Sequence, residues 1–211
     1  MSKGLVSILI SNFNYGRYLH TSVTSCLVQS YPYIEVIVID DGSTDDSLEV
    51  LARLQDPRLH VIAKQNGGQG SCYNLAFEAS RGDFVIFLDA DDWLEPDVVA
   101  RTVPLLQAGV SKAHFQLRVV DGEGSPMGRL HPPELQSERC KEAVETFGSY
   151  ASPPGSGNVY ARWFLQEVMP IPAAEADFRT GADTWCIMLA PFYGEIASLP
   201  GAGGAYRIHA S

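Results

Sequence analysis

Apolar residues fall along this chain in two rhythms. Short runs rich in Val and Ile, at Leu5 to Ile10, Glu35 to Ile39, Leu59 to Ala63 and Phe84 to Leu88, read as strands of a parallel sheet buried on both faces. Between them apolar positions recur at helical spacing, first Leu19, Val23, Cys26 and Leu27, then Leu48, Leu51 and Ala52, then Leu75, Ala76 and Ala79. Their regular alternation predicts an α/β fold, a mostly parallel central sheet flanked by helices. Beyond Pro96 the rhythm loosens into a helix near Asp97 to Leu106, a strand over 112–120 turning at 121–124, and irregular loops from Pro126 to Gly157 around one helix near Ser137 to Phe147.

A chain of 211 residues, 45% apolar and 19% charged, suits one domain over 1–211. Its net charge of −10 argues against binding nucleic acid, which needs clustered Lys and Arg for the phosphates. If the ligand is anionic, something other than side chains must neutralise it. The four cysteines lie far apart with no C-x-x-C pair, as in a reduced cytoplasmic protein. The first apolar run is too short for a signal peptide, and no stretch approaches the roughly 18 apolar residues of a membrane span. Any membrane contact is therefore expected to be peripheral, at the inner face of the plasma membrane.

In open parallel sheets, ligands bind at the carboxyl ends of the strands, where loops and helix N-termini expose the polar edge of a buried core. All four strands carry polar residues there: Ser11, Asn12 and Asn14; Asp40 and Asp41; Asn66; and Asp89, Asp91 and Asp92. Asp-Asp-Gly-Ser is also ordinary turn chemistry, and Gly-Gly-Gln-Gly lacks the G-x-G-x-x-G spacing of a dinucleotide loop. Asp-Ala-Asp-Asp is harder to dismiss, because carboxylates this close repel unless a cation or strong donors sit between them. Oxygen-only ligands favour a hard ion, Mn2+ or Mg2+, shared with a phosphate ligand. Such an ion lets an acidic protein hold a diphosphate.

In this order and spacing, 11-SNFN-14, 40-DDGSTD-45, 66-NGGQG-70 and 89-DADD-92 resemble the nucleotide-sugar half of the inverting family 2 glycosyltransferases with the GT-A fold. The pieces 157-GN-158, 170-PIP-172, 181-GADTW-185 and 206-YRIH-209 resemble that family's second half. The resemblance implies a nucleotide-sugar-binding half over 1–110 and an acceptor-binding, base-supplying half over 111–211. The implied reaction is metal-dependent and inverting. It moves a sugar from a nucleotide-diphosphate sugar, expected to carry uridine, to a hydroxyl of a saccharide or lipid-linked acceptor in polysaccharide or glycoconjugate synthesis.

By the same resemblance Asp40 hydrogen-bonds the base, leaving Asp41 to cap the turn, while Ser11, Asn12, Phe13 and Asn14 cradle base and ribose. Asn66, Gly67 and Ala90 belong to the donor site, Asp89 meets ribose or sugar, and Asp91 binds the metal. His209 is a second metal ligand or a structural histidine, and Arg207 a phosphate partner or a structural arginine. Asp92 supports the cluster or caps the helix beyond Pro96. Asp183 is the implied catalytic base, with an N-cap of a helix over Trp185 to Leu189 as its alternative. Ala182 stands where many relatives carry Glu, which keeps Asp177 and Glu175 open as bases. The stretch 157-GNVYARWF-164 resembles the acceptor side, with Trp163 either core or a platform for a sugar ring. The chain ends two residues after His209, where many relatives continue into further helices.

Two other readings compete. A sugar nucleotidyltransferase normally opens with a Gly-rich basic loop after the first strand, and 11-SNFNYGR-17 has one Gly and one Arg. A non-catalytic nucleotide-sugar-binding module keeps the pocket and transfers nothing; the departure at Ala182 is its best support.

Overall fold

The Val- and Ile-rich runs form β1 (Val6–Asn12), β2 (Ile34–Asp40), β3 (Leu59–Ala63) and β4 (Phe84–Asp89), parallel and in the order β3-β2-β1-β4. The computed structural model describes residues 4–172 and 174–209. Asn12 pairs with Asp40 and Ser11 with Asp89, so the polar strand ends arrive level at one edge of the sheet.

Alternate residues of the central strands feed two cores, because successive side chains point to opposite faces. Val6, Ile8, Ile10, Val36, Val38, Ile86 and Leu88 pack with Leu19, Val23 and Cys26 of α1 (Gly16–Leu27). On this side α2 (Ser47–Ala52) contributes Leu51, while Leu48 is exposed. Leu9, Ile37, Ile39, Val85 and Phe87 face the other core, against Cys72, Tyr73 and Ala76 of α3 (Gln69–Ala79). The buried stripe of α3 thus includes Ala76 but not Ala79, because Tyr73 stacks on Phe87 with ring centroids 4.0 Å apart and turns the helix toward it. β3 is the edge strand and half-exposed, not buried on both faces.

The rest of the chain extends the same sheet. It adds β5 (Trp93–Leu94), α4 (Val98–Thr102) with a tighter 3-10 turn at Val103–Leu105, β6 (Val110–Val120), β7 (Pro126–His131), α5 (Cys140–Phe147), β8 (Asn158–Ala161), α6 (Arg162–Val168), α7 (Ala174–Asp177), α8 (Asp183–Tyr193) and β9 (Glu195–Arg207). The order continues β4-β8-β6-β9-β5, with β7 on β6. β8 runs antiparallel to both β4 and β6, and β9 runs parallel to β6.

Sequence pattern missed β7 and β9. β7 is almost wholly exposed, so nothing selects an apolar alternation. β9 carries Pro200, Gly201, Gly203 and Gly204, residues that weaken a strand signal. Two of these glycines are required by close neighbours. A Cβ on Gly203 would lie 2.4 Å from Val98 Cγ2, and one on Gly204 would lie 2.6 Å from the Trp93 carbonyl oxygen.

Candidate active site

At the carboxyl edge of β1 to β4 the loops are tied to one another by buried polar groups. Asn14 adopts a left-handed backbone (φ 60°), and its Oδ1 accepts the Thr44 amide at 2.7 Å. Asp40 lies beneath this junction: its Oδ2 accepts from Asn12 Nδ2 at 2.8 Å and its Oδ1 from the Ser43 amide at 3.0 Å. The turn-closing role expected of Asp41 therefore belongs to Asp40. Asp41 instead reaches the third strand's loop, where its carboxylate accepts from Lys64 Nζ (2.7 Å), the Gly67 amide (2.9 Å) and the Gly68 amide (2.7 Å). Asn66 Nδ2 adds a fourth donor at 3.1 Å.

Above these loops opens a cleft of about 780 Å³. Ser11, Asn12, Phe13, Asn14, Asn66, Asp89, Ala90, Asp91 and His209 line it, as the sequence led one to expect. Asp40 and Gly67 do not; Asp41 and Gly68 occupy the wall in their place. Arg17, Arg179 and Arg207 also line the cleft, so basic side chains from α1, the segment before α8 and the end of β9 meet in an acidic protein. No spacing along the chain announced that meeting.

The carboxylates behave differently from one another. Burial pushes the Asp89 carboxyl up to about 7, with the charges of Asp183 and Asp91 adding to it and a hydrogen bond from Gln69 opposing. Asp92 is likewise raised well above the usual carboxylate range, again by burial first and then by Asp89 and Asp91. Asp92 does not cap the helix beyond Pro96, whose N-cap position is Asp97. Its oxygens accept from the Arg207 amide at 2.9 Å and from Ser156 Oγ at 2.6 Å, which fastens the cluster to β9 and to the turn before β8. Asp91 turns the other way, its Oδ2 lying 2.8 Å from His209 Nε2. Tyr15 and Tyr18 hold that imidazole, with ring centroids 5.5 and 5.4 Å away.

Among the described residues no three His, Cys, Asp or Glu side chains converge to hold a metal by themselves. The Asp91 and His209 pair supplies one oxygen and one nitrogen ligand facing the cleft. That donor set fits a divalent ion whose remaining positions are filled by phosphate oxygens. Arg207 spends its Nε on the Asp91 carbonyl (2.9 Å) and an Nη on the Gly122 carbonyl (2.7 Å), and its guanidinium covers Tyr18 and Trp93.

Asp183 is the first residue of α8, not its cap, and no side chain caps that helix end. Its Oδ2 accepts the Gly155 amide at 2.8 Å. Gln69 spans the gap to the donor carboxylates: its Nε2 donates to Asp89 Oδ1 and its Oε1 accepts the Ala182 amide, both at 3.0 Å. Ala182 is fully buried, so a larger acidic side chain would not fit there without repacking. Neither Asp183 nor Asp177 lines the cleft; Asp183 is half-buried behind Gln69, Asp177 is exposed, and the Glu175 side chain lies outside the described residues. Arg162 and Trp163 line a separate hollow of about 360 Å³ with Phe84, at the opposite end of β4 from Asp89.

The architecture is that of the GT-A glycosyltransferases. Staphylococcus aureus TarS, solved in complex with UDP, superposes with a TM-score of 0.75 over 97% of this chain and 60% of its own, at 22% identity. The mannosyltransferase PcManGT of Pyrobaculum calidifontis, solved with GDP-Man and Mn2+, superposes at 0.71 over 98% and 57%, at 16% identity. The chain belongs to glycosyl transferase family 2, whose model matches residues 7–159. An uncharacterized glycosyltransferase of Nostoc is 35% identical over 97% of this chain, which spans 65% of that protein's length. The chondroitin synthase of Pasteurella multocida is 42% identical over 66% of this chain and 15% of its own length. Among the described residues no helix is long and apolar enough to cross a membrane.

Proposed function

We propose that this chain carries out metal-dependent, inverting transfer of a sugar from a nucleotide-diphosphate sugar to a hydroxyl of a saccharide or lipid-linked acceptor, in the synthesis of a polysaccharide or glycoconjugate. The observation that carries the reading is the cleft at the carboxyl edge of the sheet, lined by Asp89, Asp91 and His209, with Gln69 bridging Asp89 to the Ala182 amide next to Asp183. The names of the Pasteurella relatives, both polysaccharide synthases, support the product class. The nucleotides bound by the structural neighbours support the donor class, with uridine the first base to test.

In this reading Ser11 to Asn14 and Asn66 frame the base and ribose, and Asp40 acts on the base through Asn12 or directly. Asp89 receives a hydroxyl of the ribose or sugar. Asp91 and His209 hold Mn2+ or Mg2+, which when bound supplies Lewis-acid stabilisation to the departing diphosphate. Arg17 and Arg179 add positive potential along the same wall. Asp183 accepts the proton of the acceptor hydroxyl, whose oxygen bonds to the anomeric carbon as the bond from that carbon to the diphosphate breaks. Attack from the face opposite the leaving group inverts the configuration.

Thermal-shift measurements with UDP, GDP, UDP-N-acetylglucosamine and GDP-mannose, each with and without Mn2+, test the donor half. Nucleotide release in the presence of an oligosaccharide mixture tests transfer. Stabilisation by a nucleotide without any release would favour the binding-module reading. No stabilisation by any of the four would remove the donor site.

A further inference from the structure

Asn158 opens β8, is fully buried, and its side chain bridges the preceding turn and the neighbouring strand β6. Its Nδ2 donates to the carbonyls of Pro153 (3.2 Å), Pro154 (2.8 Å) and Gly155 (3.4 Å). Its Oδ1 accepts from Lys112 Nζ at 2.7 Å. Lys112 is itself fully buried and has no acidic partner among the described residues; its ammonium meets Ser152 Oγ at 2.7 Å and the Tyr150 ring at 4.9 Å. Burial pushes its pKa well down. An unpaired buried amine is costly, and the strand pairing of β6 needs only its backbone.

What the pair secures is the turn Gly155–Gly157, which touches both halves of the site. The Gly155 amide donates to Asp183 Oδ2 at 2.8 Å. Ser156 Oγ donates to Asp92 Oδ2 at 2.6 Å and accepts the Asp89 amide at 3.1 Å. Its two glycines are closely packed: a Cβ on Gly157 would lie 2.5 Å from Pro153 Cβ, and one on Gly155 3.0 Å from the Tyr73 hydroxyl and 3.3 Å from Asp183 Cβ.

We propose that Asn158, backed by the buried Lys112, is a positioning residue for sugar transfer: it fixes the Gly155 amide and thereby the orientation of the Asp183 carboxylate toward Asp89. The inference rests on Asp183 being the base. Asp89 on β4, Tyr73 on α3, Lys112 on β6, Tyr160 on β8, Cys186 on α8 and Tyr206 on β9 also act on that carboxylate or feel its charge.

Asn158→Ser tests it without changing charge, since the shorter side chain no longer reaches the three carbonyls. Calorimetry with UDP and Mn2+ is expected to give an affinity within about threefold of wild type, because the donor loops of β1 to β3 are untouched. Carbon-detected NMR, with the Asp183 carboxyl assigned by Asp183→Asn, is expected to show that carboxyl resonance displaced as the Gly155 amide donor loosens. Nucleotide release from UDP-N-acetylglucosamine with the oligosaccharide mixture is expected to fall at least about tenfold in kcat with an unchanged donor KM. If Asn158→Ser does not fold, Lys112→Met with Asn158→Leu replaces both partners by apolar groups, and comparison with Lys112→Met alone isolates the turn. An unmoved Asp183 carboxyl resonance, or UDP affinity lost in step with kcat, overturns the proposal. Normal release by Asp183→Asn would overturn the base instead, and the carboxyl resonance still decides the positioning.

Discussion

His209 Nε2 lies 2.8 Å from Asp91 Oδ2, although 118 positions separate the two residues. Asp91→Ala and His209→Ala should each reduce the gain in UDP affinity that Mn2+ brings, Asp91→Ala abolishing it because a neutral side chain brings no ligand charge. Calorimetry in EDTA and then in Mn2+ reads this directly. Equal wild-type affinity in both would remove the metal from the mechanism.

Asp40 and Asp41 can be separated by their partners. Asp40→Ala releases Asn12 and Ser43 and should weaken UDP binding by about 1.5 to 3 kcal/mol while leaving Mn2+ binding intact. Unchanged affinity for every nucleotide tested would confine Asp40 to the turn.

Asp41→Asn should instead cost stability. It removes the charge facing Lys64, whose side chain is 19% exposed against 4% for Asp41, and loosens the amides of Gly67 and Gly68. The expected loss is about 2 to 3 kcal/mol in urea unfolding, partly recovered by adding Lys64→Met, which removes the stranded cation. A double variant no more stable than Asp41→Asn would mean the ion pair contributes little.

Glu35 predicts a pH dependence of a definite sign. Burial works to raise its pKa, but hydrogen bonds from Ser7 Oγ and Arg81, and the Arg81 charge, outweigh it, and the folded value is lowered. Its contribution is therefore complete above the usual carboxylate pKa and lost as pH falls through the lowered folded one. Glu35→Gln should be less stable than wild type by about 1 to 2 kcal/mol at neutral pH, with the gap closing as pH falls below the usual carboxylate range. A gap independent of pH would locate the effect in shape rather than charge.

Asp183→Asn keeps an oxygen for the Gly155 amide and loses the base. UDP affinity and melting temperature should stay near wild type, while nucleotide release falls by at least about 10²-fold. Loss of folding or of UDP affinity would make the Gly155 contact structural. Near-normal release would move the search to Asp177 or Glu175.

The α/β class and four parallel strands were legible in the sequence because burial on both faces imposes a local Val and Ile pattern on β1, β2 and β4, and β3, half-exposed at the edge, keeps part of it. Their polar ends were legible for the same reason: the carboxyl edge of such a sheet is where charge can be tolerated, and Asp89 and Asp91 stand there. β9 could not be read, since its glycines answer to Val98 and Trp93, neighbours roughly a hundred positions away in the chain. Nor could the separate partners of the adjacent Asp40 and Asp41, one bonded to Asn12 and Ser43, the other to Lys64 and the amides of Gly67 and Gly68. The encounters of Arg17, Arg179 and Arg207, and of Asp183 with Gly155, were decided by tertiary structure alone. Period and composition record only what each residue's own element requires, while a site joining β4, β9, α3 and α8 depends on where the sheet places their ends.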